Sequence, residues 1–74
     1  MPTQARSATV VMAFGDNLRR HRIERHWTVE ELARRAGLHP TTVSRIERGV
    51  RADPTLSTAT DLAKALRVTV DDLV

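Results

Sequence analysis

Residues 28–49 read TVEELARRAGLHPTTVSRIERG, and their spacing predicts two short helices folded across a tight turn. In the first, Thr28 to Ala36, the apolar Leu32, Ala33 and Ala36 recur at the i, i+1, i+4 offsets of one buried face. Gly37 follows the last periodic residue, where a glycine takes the left-handed conformation that closes a helix end. Leu38 supplies an apolar plug for the corner. The second helix starts at His39-Pro40, since proline at the first helical position has no amide hydrogen to leave unpaired. Val43 and Ile46, three apart, take its inner face, and Gly49 ends it. Turned outward are Pro40, Thr41, Thr42, Ser44, Arg45 and Arg48, a surface that is small, hydroxylated and cationic.

Such a helix suits the DNA major groove, which is about 12 Å wide and admits one helix. The groove edges offer acceptors that Arg grips two at a time, and thymine methyls that a Thr methyl touches. Two helices across a glycine turn, the second one reading, form a helix-turn-helix. Spacing alone leaves open an ordinary helical hairpin that never meets DNA.

A longer pattern surrounds this stretch: L-A-x-x-A-G-L-x-x-x-x-V-S-R-I-E-R-G from Leu32, F-G-x-x-L-R-x-x-R from Phe14, and L-A-x-A-L-x-V from Leu62. Over residues 14–73 the chain resembles the Cro/cI-type (Xre-type) helix-turn-helix family. The resemblance implies an all-α fold, a compact five-helix lambda-repressor-like DNA-binding domain whose helices 2 and 3 are the helix-turn-helix. It assigns residues 13–74 to that domain and leaves residues 1–12 as an N-terminal arm.

Bulk properties agree with one small domain. The chain has 74 residues, a length near the low end of what folds unaided, and no Cys for a disulfide or thiolate metal site. No stretch approaches the ~20 apolar residues of a membrane span. One Trp, one Phe and no Tyr disfavour stacking platforms for single strands. Charge is lopsided: residues 1–51 carry 10 Arg against 5 acids, and residues 52–74 carry 2 bases against 4 acids. The basic part holds the proposed reading helices, as a face for a polyanion should.

The arm, MPTQARSATVVM, lacks a helical period and is expected to be flexible. Thr9-Val10-Val11 offers a short extended segment, Arg6 a reach toward phosphate or minor groove, and Met12 an alternative start. Helix 1 is expected from Gly15 or Asp16 to Arg25, with Phe14, Leu18, Arg22 and Ile23 inward. A cation on that stripe needs a partner or a route to water, and Glu47 on helix 3 is the candidate. In the family resembled here, an Arg and a Glu at these positions pair and aim the Arg at a DNA phosphate. Trp27 is expected to cap the core with its ring buried.

Thr28 is a plausible N-cap of helix 2, with Glu31 completing a capping box; the first amides of that helix suit a phosphate. Val29 stands where family members often carry a phosphate-holding Gln, so it either packs near the DNA sugar or seals the helix 2–3 junction. Arg34 and Arg35 read as a solvated face. By position in the family motif, Pro40, Thr41, Thr42 and Arg45 fall to base reading. Arg45 is the leading specificity residue, since a bidentate Arg–guanine contact is worth about 1–3 kcal/mol. Arg22, Thr28, Val29, Ser44, Arg48 and Arg51 fall to the phosphates, which set register without carrying base information. His39 reads as a mediocre cap or, if protonated, as a phosphate contact.

Helix 4 is expected from Leu56 to Leu66, with Leu56, Ala59, Leu62, Ala63 and Leu66 inward. Thr69 and Asp72 form a capping-box analogue opening helix 5, where Val70 and Leu73 close the core. The resemblance places a two-fold homodimer at helices 4 and 5. His21, His26 and His39 lack zinc spacing, and no nucleophile motif or glycine-rich phosphate loop occurs. Neither metal, cofactor nor enzyme activity is therefore expected. The resulting expectation is a cytoplasmic, nucleoid-associated transcriptional regulator, a repressor, reading double-stranded DNA as a dimer. The competing reading is a protein-interaction module such as the antitoxin of a toxin–antitoxin pair, with a protein partner.

Overall fold

The computed structural model describes residues 3–50 and 54–74, and their side chains from residue 13 onward. Four α-helices, α1 (Thr3–Glu24), α2 (Val29–Ala36), α3 (Pro40–Glu47) and α4 (Leu56–Leu66), are followed by a 3-10 turn, Val70–Leu73. The expected fifth helix is thus only this turn. Four residues behind a capping threonine give room for i to i+3 bonds, and Asp72 N reaches Thr69 O at 3.1 Å. The reciprocal box is complete: Asp72 N donates to Thr69 Oγ1 at 3.2 Å, and Thr69 N to Asp72 Oδ2 at 3.0 Å.

The helices enclose one apolar core. Phe14 and Leu18 come from α1, Leu32 and Ala33 from α2, Val43 and Ile46 from α3. Ala59, Leu62, Ala63 and Leu66 of α4 and Leu73 of the turn complete it. Burying each large aliphatic side chain contributes about 1.5–3 kcal/mol. Gly15 lets α1 and α3 approach closely. A methyl built there would fall against the backbone carbonyls of Ile46 and Glu47, 2.9 Å from the Glu47 oxygen.

Several sequence expectations are corrected by packing. Helix α1 begins at Thr3, well before Gly15. Once a helix is nucleated, the Ser, Thr and Val of this stretch cost only tenths of a kcal/mol each to include. Ile23 is 49% exposed rather than inward. It lies nine residues from Phe14, two and a half turns on, and so on the opposite side of the helix. Leu56 is 78% exposed: it is the first residue of α4, and the part of this helix in the core begins only at Ala59. Thr28 Oγ1 accepts from Glu31 N at 3.0 Å, yet the Glu31 carboxylate does not close the box. It turns outward to Arg34 and Arg35, which bond it at 2.5 and 2.6 Å and hold its pKa below the usual carboxylate range. Trp27 is half-buried, with the Arg35 guanidinium 4.3 Å from its ring centroid.

Candidate nucleic-acid interface

The α2–turn–α3 unit is fixed by local chemistry at both ends. After α2, Gly37 at φ 70° lets Leu38 N reach Ala33 O at 2.9 Å, which satisfies a terminal carbonyl and turns the chain. His39 opens α3: its Nδ1 accepts from Thr41 N at 3.1 Å, placing the ring proton on Nε2. Pro40 occupies the first helical turn. Val43 and Ile46 are buried, which turns the opposite face of α3 to solvent with Thr41, Arg45 and Arg48 exposed.

Arg22 crosses from α1 to this unit. Its Nε and Nη2 donate to Glu47 Oε2 and Oε1 at 2.7 and 3.0 Å, and its Nη1 donates to Trp27 O at 2.8 Å. The hydrogen bond with Glu47 pushes the guanidinium pKa up, so Arg22 is a fixed, permanent cation at the α1–α3 seam. Beside it, the amides of Val29 and Glu30 precede the first intrahelical bond of α2, made by Leu32 N to Thr28 O at 3.1 Å. Such amides are free to meet an anion.

An open cleft of about 610 Å³ runs between the start of α2 and the outer face of α3. It brings together Arg22, Thr28 and Val29 with Pro40, Thr41, Ser44 and Arg48. Thr42 and Arg45 lie outside its lining, farther round α3, and Arg51 lies outside the described residues. Arg45 makes no side-chain bond among the described residues, whereas Arg48 Nε leans back to Ser44 O at 3.4 Å. Two contributors had not been singled out. Glu30 joins the lining as an acidic counterweight close enough to favour the charge on Arg22; its place in the first turn of a helix was the available signal. The Trp27 carbonyl, Arg22's third partner, carried none, because a backbone acceptor has no residue identity.

Cations, hydroxyls and free amides along an exposed helix are the parts of a duplex-binding surface. Among the described residues no group of His, Asp or Glu is arranged to hold a metal, and no helix is long and apolar enough to cross a membrane.

Residues 18–73 match the helix-turn-helix family. The chain is 40% identical over 62 residues to the HTH-type transcriptional repressor RghR of Bacillus subtilis (strain 168), covering 84% of this chain and 46% of that one. It thus spans about half the length of the curated relatives it matches. It is similar to the restriction-modification controller protein C.AhdI from Aeromonas hydrophila, with TM-score 0.81, 33% identity and coverage of 86% of this chain and 96% of that one. It is also similar to SinR, the master regulator for biofilm formation, in its crystal structure with DNA, with TM-score 0.77 and 28% identity over 81% of this chain and 95% of that one. With the family pattern running through α2, α3 and α4 and most of the chain matched, this protein belongs to the helix-turn-helix family of the Cro/cI (Xre) type.

Proposed function

We infer that this protein is a sequence-specific, double-stranded-DNA-binding transcriptional regulator, acting as a repressor. The observation that carries the reading is the cleft between α2 and α3, where a fixed guanidinium, free helix amides and hydroxyls line one wall of an exposed cationic helix. Similarity to a named repressor and to a regulator solved with DNA supports it.

In this reading α3 enters the major groove. Arg45, Thr41 and Thr42 meet base edges, and Pro40 contributes apolar contact. Arg22, Thr28, Val29, Ser44 and Arg48, with Arg51, follow the phosphates. A two-fold dimer through α4 and the 3-10 turn would set two α3 helices about 34 Å apart, one turn of duplex. The setting for such a protein is the cytoplasm, at the nucleoid.

Fluorescence anisotropy of the protein on the duplex upstream of its own gene, beside a scrambled duplex near physiological salt, tests this. Specific complexes are about 10³–10⁷ times tighter than non-specific ones, and a gap of that order with a steep salt slope is expected. Equal, weak binding to the upstream duplex, the scrambled duplex and a randomised duplex pool would overturn the reading.

A further inference from the structure

A second cleft, of about 490 Å³, opens where the ends of α1 and α4 meet the outer side of α2, and it shares no lining residue with the first. Its floor is apolar, made by Ala65, buried Leu66 and half-buried Trp27. Around the floor stand Arg25, Arg35 and Arg67, opposed in the lining by the single carboxylate of Glu24. The guanidiniums of Arg35 and Arg25 lie 4.3 and 5.9 Å from the Trp27 centroid, within cation–π range. Arg25 is held by bonds to the carbonyls of His21 and Leu66, both 2.7 Å, so no carboxylate neutralises it. Arg67 has no side-chain partner among the described residues.

Backbone conformation marks the same place. All four helices close on a left-handed residue. At α2 and α3 it is Gly37 and Gly49, but at α1 and α4 it is His26 (φ 58°) and Arg67 (φ 59°). A Cβ is disfavoured in that conformation, and glycine would end these helices with less strain. The two exceptions among the described residues both line the second cleft.

We propose that this cleft docks an acidic polypeptide segment of a partner protein, its carboxylates set against Arg25, Arg35 and Arg67 and an apolar side chain laid on Trp27 and Leu66. A free phosphate needs several N–H groups converging on one point. Here the three cations stand on three separate elements around the floor, and Arg35 already shares its Nε with Glu31 at 2.6 Å. Cations spread around an apolar floor match instead an extended chain with carboxylates at intervals and an apolar residue between them. A DNA backbone would supply the charge but nothing to cover the floor.

The test titrates the nitrogen-15-labelled chain, near physiological salt, with a blocked peptide of Asp-Asp-Leu repeats. An Asn-Asn-Leu peptide and inorganic phosphate serve as comparisons. The acidic peptide is expected to shift the amides of Arg25, His26, Trp27, Arg35 and Arg67 saturably and to change the fluorescence of the single tryptophan, and the amide peptide to do neither. Arg67→Gly suits the left-handed conformation and is expected to keep its melting temperature, while weakening the peptide about three- to fivefold, as for one exposed charge pair. Arg35→Gln, which leaves α2 continuous, should give a similar loss, and Arg67→Gly should leave duplex binding unchanged. The proposal is overturned by absence of saturable shifts, by shifts centred on Thr28, Thr41 and Ser44, or by peptide affinity unchanged from the parent in both variants. Phosphate moving the same amides at the same concentration would make this an anion pocket, and loss of duplex affinity in Arg67→Gly would assign the cleft to DNA; either result overturns it too.

Discussion

Arg22 and Glu47 meet in a two-pronged ion pair across the α1–α3 seam, with N–O distances of 2.7 and 3.0 Å. The third arm of the same guanidinium holds the Trp27 carbonyl, so one side chain ties together α1, the α1–α2 connection and α3. The Glu47 side chain is only 6% exposed, and removal of either partner strands the other away from water.

Arg22→Ala and Glu47→Ala are therefore each expected to cost about 3 kcal/mol, a large part of the ~5 kcal/mol available to a small domain. The double variant should be more stable than the sum of the single losses by about 1–3 kcal/mol. Urea denaturation of the four proteins closes the cycle. Simple additivity would mean that the pair does not act as a unit.

Gly15→Ala should destabilise although alanine favours helix by ~1 kcal/mol. Its methyl would press on backbone carbonyls of α3 that have no rotamer to change, and overpacking of this kind costs about 1–3 kcal/mol. Thermal denaturation decides the matter. A raised melting temperature would show that α1 and α3 separate freely.

Leu56 and Leu62 are the same residue type on one helix, yet only Leu62 should respond strongly. Leu62, fully buried, is expected to lose about 2–5 kcal/mol on change to Ala. Leu56→Ser, at an exposed position, should stay within about 0.5 kcal/mol of the parent. Comparable losses at both sites would place Leu56 in an interface.

Arg45→Ala is expected to relax preference at one base position by about 1–3 kcal/mol, whereas Arg48→Ala should weaken all duplexes alike and lower the salt slope by about 1. Binding to a set of single-base operator variants at two salt concentrations separates these outcomes. Equal losses on cognate and scrambled DNA for Arg45→Ala would remove it from base reading.

Asp72 carries a pH signature. The Thr69 backbone amide bonds its carboxylate and holds its pKa below the ordinary range. A group whose folded pKa is lowered adds stability fully present above its unfolded value and lost as pH falls through the folded one, here below about pH 4. Asp72→Asn should thus flatten the decline of melting temperature between pH 5 and pH 3. An unchanged acid profile would show that the turn contributes nothing through this bond.

What lay open in the linear chain was whatever a few neighbouring residues decide. The helical spacing of Leu32 with Ala36, of Val43 with Ile46 and of Leu62 with Leu66, the stop at Gly37, the proline start at Pro40 and the Thr69–Asp72 box each follow from contacts within a turn or two, so their chemistry is legible in order of sequence. The candidate surface on α3 was legible for the same reason: once Val43 and Ile46 face in, Thr41 and Arg45 must face out.

Tertiary structure decided what depends on competition among distant partners. Glu31 had a local option, the capping box, and took two arginines instead. Ile23 and Leu56 are apolar, but burial needs another element packed over them, and none of the described elements covers either. Arg22 needed Glu47, 25 positions away, and the second cleft exists only because the ends of α1 and α4 converge beside α2. Local periodicity and capping specify helices one at a time; which side chains lose water, and which charges meet, is set by the geometry of their assembly.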